Sequence, residues 1–353
     1  MKTFIIAEAG VNHNGSIKIA KSLIDKAKVA KADAIKFQSF KGKNIIRKGT
    51  EKCDYQKGNT LESKDQLEMV SKLELSVEQH HEIFSYAREV QLEVISTPFD
   101  LESIELLENL NVNRYKIPSG EVNNPLLLYR VAQTKKPIIL STGMATLGEI
   151  ETALSIIAFG LADKSNPSME RCSSFFVTRE AQELLKKFVS ILHCTTQYPA
   201  PPDEVNLNAM NTIQSSFNLP VGYSDHTEGI GVSIAAVALG ASIVEKHFTL
   251  DRSMNGPDHS ASIEPKELEQ LVQEVRRVEQ SLGSTQKIPT FSELKNISIV
   301  RRSIVAKGLI KKGETFSLDN LTLKRPGTGL NPLNIWRLLS EKATQDYSED
   351  DFI

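Results

Sequence analysis

The chain has 353 residues, with 42 Lys or Arg against 44 Asp or Glu and a formal charge of −2. That length holds a full-sized core with room for an appendage, and the charge balance excludes a global basic footprint for nucleic acid or an anionic membrane. Three widely spaced cysteines, Cys53, Cys172 and Cys194, exclude a disulfide framework and a CxxC zinc pair.

The first residues start as a signal peptide would, but the apolar run stops at Glu8, short of an h-region. The longest apolar stretch, residues 234–244, is too short to span a bilayer. A reduced, cytoplasmic, non-membrane protein is expected. A β-branched run at 4–7 is followed by Ala20, Leu23, Ile24 and Ala27, spaced as one helix face. A strand is predicted at 33–38, then a long connection to about residue 75. Helix 77–91 precedes strand 92–96, and helix 101–109 precedes strand 112–117. Further strands are predicted at 137–141, 188–193, 219–222 and 242–246. The last helix of the series carries Leu268, Leu271, Val272, Val275 and Leu282 on one face. His80 and His81, on helix 77–91, are read as surface residues, and His193 as a buried hydrogen-bonding group.

Eight strands, each followed by a helical segment, predict an α/β fold with a parallel sheet, closed as a (β/α)8 TIM barrel. Residues 159–187 break the rhythm with a polar run at 163–167 and then a helix-like 179–187, and are read as an insertion on a surface loop after the fifth strand. Residues 284–290 read as a linker between a barrel at 1–283 and a small β-rich tail at 291–353. In that tail, 297–306 alternates like a strand and 321–324 forms another.

In such a barrel the chemistry sits at the C-terminal strand ends, and nearly every predicted strand ends in functional side chains. The first ends at Glu8, and the second presents Lys36 and Gln38. The third gives Thr97 and Phe99, and the fourth Lys116, Ser119 and Glu121. Ser141 follows the fifth, and Thr196 and Tyr198 the sixth. The seventh ends in Ser224 and His226, and the eighth in Glu245 and His247. The lysines with the hydroxyls of Thr97, Ser119, Ser141 and Ser224 compose a site for a compact phosphorylated acid; the alternative is that each lysine only pairs with Glu8 or Glu121. His226 and His247, on adjacent strands, suit a divalent Mn2+-, Mg2+- or Co2+-like Lewis acid, or are two structural histidines at the rim. Glu8, Glu121 and Glu245 around them are candidates for proton transfer. There is no Walker A loop, GxGxxG or GxSxG.

The stretches 7–15 (AEAGVNHNG), 35–38 (IKFQ), 96–99 (STPF), 116–121 (KIPSGE), 141–144 (STGM), 223–226 (YSDH), 245–249 (EKHFT) and 256–259 (GPDH) occur together and in this order. In them, and over essentially its whole length, the chain resembles the bacterial sialic-acid (N-acylneuraminate, nonulosonate) synthase family. The resemblance implies a TIM barrel followed by an antifreeze-like (SAF) domain. It implies a metal-dependent enzyme that condenses phosphoenolpyruvate with an N-acetylated mannose-type sugar in open-chain form, with C–O cleavage and release of phosphate. His226 and His247 would hold the metal. Lys36, Thr97, Lys116, Ser119, Ser141 and Ser224 would hold phosphoenolpyruvate, as would Thr196, although some members carry asparagine there. Gln38, Asn59, Phe99, Tyr198 and Asp258 would line the sugar pocket. Glu121 would handle protons at carbon 2 with Glu8 nearby, and Glu245 would support the metal. Arg325 would reach the partner subunit's pocket in a domain-swapped homodimer.

The acceptor implied first is N-acetylmannosamine, giving N-acetylneuraminate. The alternative is 2,4-diacetamido-2,4,6-trideoxymannose, giving N,N′-diacetyllegionaminate, a reading to which the long 159–187 segment points. Two more distant readings are a synthase acting on a sugar phosphate and a non-enzymatic antifreeze-like binding module. The first lacks a spare arginine cluster at the strand ends, and the second has no use for the convergence of Lys, Glu and His.

Overall fold

In the computed structural model, which describes residues 2–52, 63 and 65–353, the chain divides into two compact units, Met1–Gly283 and Ser284–Ile353. In the first unit, β1 (Phe4–Gly10), β2 (Ala34–Ser39), β3 (Glu93–Pro98), β4 (Tyr115–Ile117), β5 (Ile138–Ser141), β6 (Val189–Cys194), β7 (Val221–Asp225) and β8 (Ile243–His247) close into a parallel barrel. Closure is made by β8 pairing with β1, with Glu8 beside His247, while β1 pairs with β2 so that Glu8 also lies beside Lys36.

The strand period of two builds the interior in layers. Ile6, Ala34, Ile95, Ile139, Leu192 and Ile243 form one apolar cluster from six strands. Two residues further along the same strands stand Glu8, Lys36, Thr97, Ser141, Cys194 and Glu245, all buried and all lining one cavity. The residues between them face outward into the larger core beneath the helices, as Ala7, Ile35 and Val244 do. A continuous apolar floor therefore carries a polar ring, and the sequence switches from one to the other within a single strand pleat.

The helices begin promptly because their caps are encoded. Ser16, Ser76, Asp100, Asn124 and Thr146 each accept a hydrogen bond from the backbone N–H three residues on, satisfying donors that a helix start leaves open. Helix Ile17–Val29 buries Ala20, Leu23, Ile24 and Ala27, and each large aliphatic side chain so buried contributes roughly 1.5–3 kcal/mol. Helix Pro265–Leu282 buries Leu268, Leu271, Val272 and Val275, whereas Leu282 is exposed.

Three expectations are corrected. Residues 159–187 are not a surface loop. They comprise the end of helix Leu147–Leu161, helix Met169–Phe176 and, where a helical stretch was expected, most of helix Arg179–Phe188, with Cys172, Phe175, Ala181 and Leu185 buried. Phe175 meets the Phe159 ring edge-on at 6.0 Å, and Ser168 and Thr178 cap the two helices. His80 is not a surface residue. It is buried, its Nε2 is 2.9 Å from Ser39 Oγ and its Nδ1 is 2.8 Å from Ser76 O, while His81 is exposed. Finally, 297–306 is not one strand. A capping box of Thr290 and Glu293 starts helix Phe291–Val300, and β9 (Ser303–Ala306) begins only after it.

The second unit pairs β9 antiparallel with β10 (Leu321–Lys324). Ile304, Ile310, Phe316, Leu321, Leu338 and Tyr347 belong to its own small core. Helices Phe291–Val300 and Ile335–Leu338 accompany this two-stranded sheet.

Candidate active site

A cavity of about 400 Å³ opens at the C-terminal ends of the barrel strands. Every site residue expected in residues 2–283 lines it, apart from Asn59, which lies outside the described residues, as does Cys53. Glu8, Lys36, Gln38, Thr97, Phe99 and Lys116 come from β1 to β4 and their ends. Ser119, Glu121, Ser141, Thr196, Tyr198, Ser224, His226, Glu245, His247 and Asp258 complete the set. Arg325 directly follows β10 in the second unit and is exposed.

At the cavity floor two lysines and two glutamates are almost wholly withdrawn from water. Lys36 Nζ is 2.7 Å from Glu8 Oε2 and 3.7 Å from Glu245 Oε1, and donates to Thr97 Oγ1 at 3.2 Å. Lys116 Nζ donates to Glu245 Oε1 at 2.8 Å, and Ser224 Oγ donates to the same oxygen at 3.2 Å. The expected alternative of lysine pairing is thus met for Lys36 with Glu8. Lys116 pairs with Glu245 rather than Glu121, whose Oε2 accepts from Asn124 Nδ2 at 2.6 Å.

These contacts pull the carboxyls apart. Burial pushes Glu8 up to about 7, with Lys36 opposing and Glu245 adding to the shift. Burial also disfavours charge on Glu245, but Lys116 and Lys36 outweigh it and hold Glu245 down at about 2. Lys36 is raised because Glu245 and Glu8 outweigh its own burial, whereas burial leaves Lys116 lowered. Two ammonium groups therefore share one firmly ionised carboxylate, and the floor is primed for an anion. Ser141 Oγ is buried in the cavity without a hydrogen-bond partner, a donor left open for a ligand. Beside it, Ser119 Oγ accepts from Gly143 N at 2.9 Å. A Cβ on Gly143 would overlap the Thr196 hydroxyl and come within 2.9 Å of Ser119 Oγ, so only glycine lets these two hydroxyls converge.

The two histidines stand with ring centroids 5.3 Å apart. His226 Nδ1 lies 2.7 Å from the Thr195 carbonyl, so Nδ1 carries the proton and Nε2 the lone pair. Tyr198 stacks on His226 at 4.1 Å and meets His247 edge-on at 5.4 Å. His247 Nδ1 is buried without a partner, and burial and the nearby His226 hold that ring well below the ordinary imidazole range. Asp258, pushed up to about 6 by burial, lines the same cavity. Among the described residues no group of three or more His, Cys, Asp or Glu is disposed to hold an ion. Burial lowers His226, but Cys194 and the Thr195 carbonyl outweigh it and leave that ring raised, so an ion held by both rings would displace a proton from His226 and keep its other positions open to ligand or water.

Two features of the cavity escape sequence reading. Cys194 lies inside it, 3.7 Å from His226 Nδ1; its place two residues beyond Leu192 on β6 is the signal that locates it. One wall is apolar, formed by Phe40, Ile45, Ile46, Met69, Val70 and Leu73, from a connection without regular period.

Comparison with known proteins adds four findings. A model of the NeuB family matches residues 23–287. The chain is 49% identical over 352 residues to the N,N'-diacetyllegionaminic acid synthase of Campylobacter jejuni, covering 100% of this chain and 99% of that one. It is 43% identical to the enzyme of the same name from Legionella pneumophila, covering 99% and 92%. Among solved structures, the N-acetylneuraminic acid synthetase of Leptospira borgpetersenii in complex with citrate superposes with a TM-score of 0.68 at 33% identity, covering 84% of this chain and 90% of that one.

Proposed function

The chain belongs to the NeuB family, and from that premise we propose that it is a synthase joining phosphoenolpyruvate to an N-acetylated, open-chain mannose-type sugar. Water is consumed, a nonulosonate forms and phosphate leaves. The observation that carries this reading is one barrel-mouth cavity that combines two buried ammonium groups, two adjacent imidazoles and an apolar wall.

Lys36 and Lys116, with the hydroxyls of Thr97, Ser119, Ser141, Thr196 and Ser224, bind the phosphate and carboxylate of phosphoenolpyruvate. The sugar lies toward Gln38, Phe99, Tyr198 and Asp258. A divalent ion, Mn2+ first and Mg2+ or Co2+ otherwise, would be held by His226 and His247 and would supply Lewis-acid polarisation of the sugar aldehyde. Carbon 3 of phosphoenolpyruvate then attacks the aldehyde carbon, and cationic character develops at carbon 2. Glu121 takes a proton from the water that adds there, the former aldehyde oxygen takes up a proton to become a hydroxyl, and collapse of the carbon-2 adduct to a ketone breaks the C–O bond to phosphate, which leaves with the second water proton. Glu8, poised near neutrality beside Lys36, takes up or returns a proton as the anion exchanges. Glu245 keeps both lysines charged and oriented.

Two acceptors fit this scheme. N-acetylmannosamine gives N-acetylneuraminate, and 2,4-diacetamido-2,4,6-trideoxymannose gives N,N′-diacetyllegionaminate. The wall of Ile45, Ile46, Met69 and Val70 favours the second, because these side chains offer a methyl group an apolar surface. The names of the relatives at 49% and 43% identity point the same way.

The test is incubation with phosphoenolpyruvate, Mn2+ and each sugar, followed by product mass and phosphate release. The trideoxy sugar should be preferred, by roughly 100-fold in kcat/KM. No phosphate release with either sugar would overturn the reaction, and preference for N-acetylmannosamine would overturn the acceptor. We assign residues 291–353, after a linker at 284–290, as an SAF domain whose exposed Arg325 serves a partner subunit in a domain-swapped homodimer. Mixing inactive His226→Ala and Arg325→Ala chains should then restore activity, and failure to do so would count against sharing in trans. Among the described residues no helix is long and apolar enough to cross a membrane, which accords with work in the cytoplasm.

A further inference from the structure

Behind the two histidines lies a second ion pair that the reaction does not touch. Asp225 and Lys246 precede His226 and His247 in the chain, and the strand period turns them to the opposite face, toward helix Gly231–Ala238. Their side chains are wholly buried, with Lys246 Nζ 3.1 Å from Asp225 Oδ2. Their Cα atoms are register partners across β7 and β8.

The pair is held by a set of directional bonds. Asp225 Oδ1 accepts from Thr227 N at 2.8 Å and from Thr227 Oγ1 at 2.7 Å. Its Oδ2 accepts from Ser233 Oγ, and Lys246 Nζ also donates to the Thr227 carbonyl. The network thus ties together the end of β7, the turn behind His226, the first turn of helix Gly231–Ala238 and the end of β8.

A buried ion pair of this kind adds little stability over an apolar replacement, because desolvating two charges offsets their attraction. Its value lies in directional bonds, and here those bonds fix the two strand ends that carry the imidazoles. On the cavity side, among the described residues, the His226 ring bonds the Thr195 carbonyl and Cys194 Sγ and stacks on Tyr198, while His247 Nδ1 has no hydrogen bond and that ring meets Tyr198 edge-on. The geometry points to Asp225 and Lys246, with Thr227 and Ser233, as a rear brace that sets the separation and tilt of His226 and His247. They are positioning residues for the ion, an assignment that rests on the two-histidine metal reading. They have no part in holding phosphoenolpyruvate, whose lysines come from β2 and β4.

The test compares wild type with Asp225→Asn/Lys246→Met, which removes both charges together and leaves no buried ion unpaired, and with Ser233→Ala, which removes a single bond to Asp225. Binding of Mn2+ alone is read by electron paramagnetic resonance, binding of phosphoenolpyruvate without metal by calorimetry, and folding by a cooperative melt. The double variant should weaken Mn2+ by about 10–100-fold, the range found for groups that orient metal ligands, and Ser233→Ala by a smaller factor. Phosphoenolpyruvate affinity should stay within about two-fold in both. Unchanged Mn2+ affinity in a folded double variant would overturn the brace, as would equal loss of both ligands. If the double variant does not fold, unchanged Mn2+ affinity in Ser233→Ala overturns it. Failure of wild type to bind Mn2+ would overturn the metal reading itself, and the brace with it.

Discussion

Lys116 Nζ lies 2.8 Å from Glu245 Oε1, and Lys36 approaches the same oxygen at 3.7 Å. One carboxylate oxygen thus anchors two ammonium groups whose side chains are only 4% exposed. Glu245, held at about 2, remains ionised across the working range, while Glu8 at about 7 is only partly so. The cluster is short of negative charge at neutral pH, which an anionic substrate supplies.

Replacing Lys116 by Met should therefore weaken phosphoenolpyruvate rather than unfold the barrel, since Glu245 keeps Lys36 as a partner. A charge-assisted hydrogen bond is worth roughly 1.5–3 kcal/mol, or about 10–100-fold in kcat/KM for phosphoenolpyruvate. Steady-state kinetics with the sugar saturating, beside a thermal melt, will measure it. Wild-type kcat/KM in the variant would show that Lys116 does no more than pair with Glu245.

Glu8 gives the pH dependence a sign. Its pKa is raised from 4.5 to about 7, so the folded protein binds a proton that the unfolded chain has already released in that window. The stability this contributes is complete below about 4.5 and is lost as pH rises through about 7. Glu8→Gln should remove that slope, a difference of roughly 2–3 kcal/mol between pH 5 and pH 8. Urea unfolding at both pH values measures it. Phosphoenolpyruvate competes for Lys36, so its KM should rise above pH 7 in wild type and not in Glu8→Gln. Parallel pH profiles in the two proteins would remove Glu8 from the exchange.

The polar ring was legible because strand alternation makes it so. Once Ile6, Ile95 and Ile243 are placed inward, Glu8, Thr97 and Glu245 two residues on must follow. The apolar wall was not, because Phe40, Ile46 and Met69 come from a connection in which no period tells a pocket from a core. His80 misled through its residue type and not its position. It falls on the same helix face as Ile83, Phe84 and Ala87, all buried, and a partner in Ser39 makes a histidine acceptable there. Within 159–187 the helical stretch at 179–187 was legible, but the polar run at 163–168 hid the next helix, whose short buried face Cys172 and Phe175 mark.

That helix face is testable in its own right. Phe175 is 8% exposed and packs on Phe159 and under Lys164. Phe175→Ala should cost about 3 kcal/mol, read as a lower urea midpoint, with kcat and both KM values unchanged. An unaltered midpoint would show the segment to be loosely attached after all.

The apolar wall makes the sharpest statement about the acceptor. Val70 and Met69 line the same cavity as the lysines and hydroxyls, and neither offers a hydrogen bond to a sugar hydroxyl. Val70→Thr keeps the volume and adds one donor and acceptor. A pocket without polar groups discriminates against an added hydroxyl by only about 100-fold, so a single new partner should recover part of that factor. In competition assays the ratio of kcat/KM for N-acetylmannosamine over the trideoxy sugar should rise by about 5–10-fold, with the KM for phosphoenolpyruvate unchanged. Ile46→Val, which shortens the wall without polarity, should leave the ratio near its wild-type value. If Val70→Thr and Ile46→Val move the ratio equally, the wall selects by volume and the polarity argument fails.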